Sequence, residues 1–485
     1  MPTNTKMKIG PVVKVCALCG LLASALSSAG AETEAKTTAD TRTLRVDYYH
    51  TGNANQEIFS LDRVVLEPLP WPGNTSQPFD NTLRGKYAFY VHAQDESETL
   101  LYSRSFSSIY GEWETTGEAR TRVRTFHESV RFPTPAEAVD LVVKKRDQTN
   151  NFTEVWRTTV DPHGYLVHQE SAVMADRVVP IQQSGDPAGK VDLLLLGDGY
   201  TAEEHDTFLA AANELTEVLF STPPFKERRS DFNVWALAPA SPQSGVSRPS
   251  TGVYRDTPFS TRYDAFRSER YVLTYANREL RSLASSAHYD FVEILVNSDV
   301  YGGGGIYGLY STAAAKSEWA GYLFVHEFAH HFAGLADEYY TSSVAYEAPD
   351  AIREPYEPNV TAFLDPANLK WGDRVAAGTP LPTPWPKSDY EQHSRAYEGQ
   401  RQRMRAQDAP EEAMNELFRE NQALVEGLFS RAPHAHSVGA FEGANYQAKG
   451  YFRSEMNCIM FTRTEHFCGV CRSAIDEVID EYITR

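Results

Sequence analysis

Residues 326–340 read HEFAHHFAGLADEYY and follow the largely apolar run Trp319-Ala-Gly-Tyr-Leu-Phe-Val325. His326 and His330 are four apart, with Glu327 between them. On a helix, positions i and i+4 share a face, so two imidazoles can reach one ion. Zinc accepts such nitrogens at about 2.0–2.1 Å, and a catalytic zinc keeps one position open for water. Glu327 falls beside that water, placed as the base that takes its proton during attack on a carbonyl. The competing reading is a buried helix whose two histidines are satisfied internally. The flanking sequence favours the metal.

A third ligand is needed. Gly334 ends the helix as a C-cap does, and Leu-Ala-Asp337-Glu338 follows it. A helix that stops at glycine lets the chain turn back and deliver a ligand from a loop. In the metzincin pattern, glycine and the third ligand lie one residue nearer the first histidine than they do here. Gly334 is the eighth residue after His326 and Asp337 the eleventh. Asp337 is the expected third ligand, because a carboxylate suits zinc and its offset from the glycine is kept. Glu338 is the rival, presented if the helix continues; a solvated acidic pair is the plain alternative.

Further blocks accompany the motif. They are Leu196-Gly-Asp-Gly-Tyr-Thr201 after an apolar strand, Asp231-Phe-Asn-Val-Trp235, Glu357-Pro-Asn-Val-Thr361, Gly378-Thr-Pro-Leu-Pro-Thr383 and Cys458-Ile-Met-Phe461. In these blocks and their order the chain resembles the secreted bacterial zinc metallopeptidases of the IgA-peptidase family. The resemblance implies a zinc-dependent endopeptidase with a small N-terminal β-domain; it carries no particular substrate. It also implies that Met460 is a Met-turn residue packed beneath the metal, where packing alone would suggest only core.

Length and composition fit this. At 485 residues the chain is too long for one core and suggests two domains. Hydrophobic residues at 41% and charged ones at 23% describe a globular protein. A net charge of −19 argues against nucleic acid or anionic lipid as partner and says nothing about catalysis; a protein or peptide substrate is what the resemblance implies.

The N-terminus reads as a targeting segment. Lys6, Lys8 and Lys14 precede an apolar core from Val15 to Leu26, and Ala29-Gly-Ala31 has the small-x-small form of a cleavage site. That core is too short to span a bilayer. Lys14 and Leu18 spoil a lipoprotein box before Cys16 or Cys19. Residues 1–31 are therefore expected to be a signal peptide, cleaved near Ala31, with a retained anchor as the weaker option. Loss of the three lysines takes the charge from −19 to −22. No other segment is long and apolar enough to span a membrane, so a secreted or periplasmic protein is expected.

Cys458, Cys468 and Cys471 remain after cleavage. In an exported protein they favour one local disulfide plus a leftover thiol. A small zinc knuckle of Cys458, His466, Cys468 and Cys471 is the second reading, cramped by the single residue between His466 and Cys468.

Along the chain, residues 32–42 are polar, a lead-in with the composition of disorder. From Leu44 to about Leu166 short alternating runs appear: Leu44–Tyr49, Lys86–Val91, Leu101–Phe106, Thr121–Phe126 and Asp140–Lys144. They predict a small antiparallel β-sandwich over 42–170, without a catalytic constellation. A Pro/Gly-broken linker follows at Val179–Gly189. Beyond it Val191–Leu196, Asn233–Leu237 and Phe291–Val296 read as strands and Ala202–Phe220 as a helix. The fold class is thus α+β: a metzincin-like zinc peptidase domain over 190–485, its mixed sheet carrying the active-site helix. Residues 386–433, rich in Glu, Arg, Gln and Ala, read as a helical insertion forming a lid or rim. Gly302-Gly-Gly-Gly-Ile-Tyr-Gly308 is expected to include an edge strand whose glycines let a substrate backbone approach. A flexible turn is the plain alternative; a phosphate loop lacks its Gly-Lys-Ser/Thr.

The expected chemistry is hydrolysis by a zinc-activated water. His326, His330 and Asp337 hold the metal and Glu327 is the general base, giving about one zinc per chain. The alternatives are an exported peptide- or glycan-binding protein that keeps zinc without turnover, and a zinc amidase or deacetylase with a small pocket. An intact Glu327 weighs against the first.

Overall fold

The computed structural model describes residues 41–165, 167–348 and 350–483, and these belong to one compact unit. The expected signal peptide lies outside the described residues. The fold is α+β, with seven α-helices and four sheets among the described residues.

The largest sheet has six strands, in the order Gly303–Ile306, Tyr310–Ala314, Phe291–Val296, Val191–Asp198, Phe232–Leu237 and Val179–Gln182. Its four inner strands are parallel, and both edges are antiparallel. Val191–Asp198 is buried at every position, which is why it reads as unbroken leucine: a strand covered on both faces has no polar side to show. The linker expected at 179–189 is partly strand. Pro180 is opposite Trp235 at the sheet edge, where a residue without an N–H is tolerated. Thr201 and Glu204 form a capping box that opens the helix His205–Leu219.

The N-terminal region builds two four-stranded sheets. One runs Arg124–Pro133, Arg42–Asn53, Gln56–Pro70, Val167–Gln169; the other runs Leu100–Phe106, Tyr87–Ala93, Val139–Arg146, Phe152–Val160. Leu44, Val46 and Tyr48 from the first share a core with Phe89, Leu141 and Val143 from the second. Pairing is antiparallel except between Gln56–Pro70 and Val167–Gln169, which run parallel. Thr121–Arg122–Val123 is not strand; pairing begins at Arg124, after a short turn of 3-10 helix at Gly117–Arg120.

This region does not stand apart from the rest. Ile109, Tyr110, Trp113 and Phe126 join the core of the six-stranded sheet. Arg131 donates to the carbonyl of Tyr289 at 3.0 Å and stacks on its ring. Arg84 donates to the carbonyls of Ala333 and Ala474, tying the N-terminal sheets to two helices at once.

Candidate active site

The motif residues lie on the helix Ala320–Ala333. It packs an apolar face of Leu323, Phe324, Phe328 and Phe332 into the core, which leaves His326, Glu327 and His330 on the remaining side. Gly334 stops the helix in the left-handed region (φ 60°, ψ 35°), and its N–H donates to His330 O. Arg84 supplies a donor for the otherwise orphaned Ala333 carbonyl. The chain then turns back, as the glycine signal predicts, and returns Asp337 to the helix.

Three atoms converge there. His326 Nε2 and His330 Nε2 are 3.2 Å apart, and Asp337 Oδ1 lies 3.2 Å from the first and 3.3 Å from the second. His326 Nδ1 is 2.9 Å from the carbonyl of Ile459, and His330 Nδ1 is 2.6 Å from that of Leu335. A carbonyl only accepts, so each Nδ1 carries a proton and each Nε2 is the ring nitrogen turned toward the other two atoms. Asp337 Oδ1 has no hydrogen-bond partner, while Oδ2 accepts from Tyr446 at 2.6 Å. At these separations the three atoms need a positive charge among them, which a proton on an imidazole or a metal ion supplies. The edge of a tetrahedron with bonds of about 2.0–2.1 Å is about 3.3–3.4 Å, close to all three distances. The residues therefore fit a metal such as zinc.

The local field favours positive charge at this point, whether a proton or a metal ion brings it. Burial opposes charge on His330, yet Asp337 outweighs it and raises His330 to about 9. The next residue shows the contrast. His331 is buried on the other face, with Nδ1 3.1 Å from the Ile306 carbonyl and Nε2 accepting from Val292 N–H at 3.2 Å. Burial pulls its pKa down to about 3, so it stays neutral and structural.

Glu327 offers a carboxylate oxygen within 4.8 Å of donor atoms on both His326 and His330. Burial raises its pKa above the usual carboxylate value, the two imidazoles oppose the rise and Asp337 adds to it. It is partly open to the cleft; the dense protein around it sets the shift. The strand Gly303–Ile306 runs close against this face. A Cβ on Gly305 would meet Glu327 O at 2.2 Å and His330 Cβ at 2.8 Å. The expected edge strand is formed, and its glycines also make room for the motif helix. At Gly303 the strand's outer edge is already paired, with Val272 N–H donating to Gly303 O and Gly303 N–H to Arg270 O.

Two supporting residues were not picked out by sequence reasoning. Asn359, inside the Glu357–Thr361 block, brackets Ala336 through both its N–H and its carbonyl and donates to Glu338 Oε1 at 3.0 Å. Tyr446 lies in the turn between the strands Phe441–Ala444 and Gln447–Arg453, and only tertiary structure brings it to Asp337. Met460 is buried; its carbonyl accepts from Glu338 N–H at 2.8 Å, one residue after the carbonyl that holds His326. The Leu196–Thr201 block is elsewhere: Asp198 accepts from Thr257 Oγ1 at 2.9 Å and Thr261 N–H at 3.0 Å, ordering a loop. Asp47, Asp62 and His127 also cluster, but Arg45, Arg63 and Arg278 pair with those carboxylates.

The site opens into a cavity of about 800 Å³. Its lining includes Tyr271 and Tyr346, Lys86 and Arg146 from the N-terminal region, and Tyr397 and Asn421. The last two belong to the helices Lys387–Ala406 and Glu411–Phe429, so the 386–433 insertion forms part of the rim.

The three cysteines overturn the expected disulfide. All are unpaired and buried, with Cys458 Sγ 3.8 Å from Cys471 Sγ. The knuckle with His466 is also not formed: His466 Nδ1 faces Thr464 Oγ1 at 2.8 Å, and Glu338 takes the place beside the thiols. Glu338 therefore faces away from the His326–His330 pair. Among the described residues, no helix is long and apolar enough to cross a membrane.

Comparison with known families agrees with this construction. The family described as IgA Peptidase M64 matches residues 179–479, and the domain described as Peptidase M64 N-terminus matches residues 35–157. No curated protein matches the chain. With the first match alone covering more than half of the sequence, the chain belongs to the IgA Peptidase M64 family and is a metallopeptidase acting on proteins or peptides.

Proposed function

We propose that the protein is a secreted zinc-dependent endopeptidase whose metal is held by His326, His330 and Asp337 and whose general base is Glu327. One observation carries the reading: two imidazole nitrogens and a carboxylate oxygen lie 3.2–3.3 Å apart on the lining of a cleft of about 800 Å³, with a second carboxylate beside them. A zinc bound there supplies Lewis acidity, polarising a scissile carbonyl and making water acidic enough to ionise near neutrality.

Glu327 accepts the proton from the attacking water and returns it to the leaving amine. Burial raises its pKa above the usual carboxylate value, which strengthens it as the base for the first transfer. Ile459 and Leu335 hold the imidazoles in the tautomer that leaves Nε2 free. Tyr446 fixes Asp337 so that Oδ1 stays turned inward. A cavity of about 800 Å³ has room for a stretch of peptide, which supports a peptide chain as substrate over the small acyl group of an amidase or deacetylase.

We read the six-stranded sheet with its motif helix as metzincin-like, and the two N-terminal sheets over 42–170 as a small sandwich that also walls the cleft. Residues 1–31 act as an export signal on this reading, so the mature chain of the secreted or periplasmic enzyme starts at Glu32.

The test is Glu327→Gln in the purified mature chain, assayed on a diverse peptide library. The variant keeps the zinc held by the histidines, and kcat/KM falls by about 10²–10⁴-fold. Full activity in that variant would sink the mechanism.

A further inference from the structure

Behind the active site the chain buries a second set of metal-type donors. Glu338, Cys458, Cys468 and Cys471 each offer one atom, all within 4.8 Å of one another, and all four residues are buried. We propose that these four residues bind a second, structural zinc ion in a closed Cys₃Glu site.

The distances fit an ion. A tetrahedral zinc with Zn–S bonds of about 2.3 Å sets its sulfurs about 3.8 Å apart. Cys458 Sγ and Cys471 Sγ are 3.8 Å apart. Pairing such a sulfur with an oxygen at about 2.0–2.2 Å gives an edge of about 3.5–3.7 Å. Cys471 Sγ and Glu338 Oε1 are 3.6 Å apart. A disulfide requires about 2.05 Å.

The backbone is arranged for thiolates. Cys468 N–H points at Cys458 Sγ and Cys471 N–H at Cys468 Sγ, both at 3.3 Å. Cys468 is also the N-cap of the helix Gly469–Tyr482, so the positive end of that helix faces the sulfurs. Ser454 Oγ adds a contact to Cys468 Sγ at 3.2 Å. These donors stabilise negative charge on sulfur, which three neutral thiols do not need.

Glu338 points to the ion independently. It is fully buried, Oε1 accepts from Asn359, and Oε2 has no partner. A buried carboxylate with an idle oxygen beside three sulfurs costs several kcal/mol unless a cation or proton neutralises it. Four protein donors leave no position for water, so the site is structural and not catalytic. Its ligands come from three segments: the loop that carries Asp337, the turn that holds His326 through Ile459, and the C-terminal helix. One ion there fixes the supports of the active site.

The test is metal analysis of the mature chain purified without chelator. Wild type should carry about two zinc ions, and His330→Ala about one. In that variant, replacing the remaining zinc by cobalt gives strong thiolate-to-cobalt absorption in the near ultraviolet, and a mercurial that caps the three thiols releases the metal. Cys471→Ser in the wild-type background loses one ion. If that variant does not fold, the cobalt spectrum and mercurial release on His330→Ala still decide. Metal-free His330→Ala protein overturns the proposal. So does an intact mass lacking two hydrogens, which means a disulfide. Loss of the histidine-held ion with the thiolate-held one retained would bear on the active site alone.

Discussion

Asp337 and Glu338 are adjacent in the chain and serve opposite regions. Asp337 turns one oxygen toward two histidines at the floor of an 800 Å³ cleft. Glu338 turns inward, among three cysteines and away from the cleft. The first region joins nitrogen and oxygen donors and leaves space beside them; the second joins mostly sulfur and is closed on every side. On the two readings proposed above, that is the division between catalytic and structural metal sites, served by adjacent residues of one loop. Asp337 and Glu338 send their side chains to different clusters, so one helix stop at Gly334 suffices to serve both.

The sharpest way to break this comparison is to remove each carboxylate separately. Asp337→Ala should strip the histidine-held metal and reduce turnover by well over the about 10–100-fold that loss of a supporting group costs. Glu338→Ala should lose the thiolate-held metal yet keep turnover within that about 10–100-fold range. Zinc content after dialysis against a weak chelator, read beside peptide hydrolysis, separates the two. If Glu338→Ala loses the cleft metal while Asp337→Ala holds it, the loop assignment is reversed.

The second test is pH. On the proposed mechanism Glu327 works as an anion, and burial raises its pKa above the usual carboxylate value. Activity is therefore present above that raised pKa and lost as pH falls through it, by about tenfold per unit on the acid limb. The limb in kcat/KM should lie above the range of an exposed glutamate. A midpoint at or below the ordinary value would mean that Glu327 is not the titrating base.

A smaller effect is expected from Tyr446→Phe, which removes the hydrogen bond to Asp337 Oδ2 and nothing on the Glu338 side. Turnover should fall by about 10-fold to 100-fold with the thiolate-held metal unchanged. An equal loss of both metals would show that the two regions are not separable.

What could be read from sequence followed how local each signal is. The motif helix, its stop at Gly334 and the parallel leucine strand rest on periodicity and a cap within a dozen residues, and these were legible. The strands Gln56–Pro70 and Phe152–Val160 escaped because their outer positions are exposed and polar, which blurs the alternation. The strand at Val179–Gln182 escaped because Pro180 mimics a linker. Glu338 beside the cysteines could not be seen at all, since more than a hundred residues separate it from Cys458. The disulfide expectation failed for the same reason: counting cysteines in one stretch ignores a carboxylate delivered from another. Tyr446 is likewise a purely tertiary partner.

The smallest expected effect comes from Gly334→Ala, and it tests the shared hinge. Gly334 sits at φ 60°, and a Cβ there would meet the Tyr307 ring at 3.2 Å and Arg84 Cβ at 3.4 Å. A non-glycine residue in the left-handed region costs about 1–2 kcal/mol, which is about 5–30-fold in the folded-to-unfolded ratio. Both contacts leave room for alanine after a few tenths of an ångström of movement, so the loop keeps its path. Since Asp337 and Glu338 hang from the same turn, the strain bears on both regions alike. Chemical denaturation should show the lower midpoint, while zinc content and kcat/KM at saturating metal stay within a few-fold of wild type. Selective loss of the histidine-held metal alone would show that Gly334 sets the aim of Asp337 specifically, and that Glu338 is held in place by Asn359 and the sulfurs independently of the helix stop.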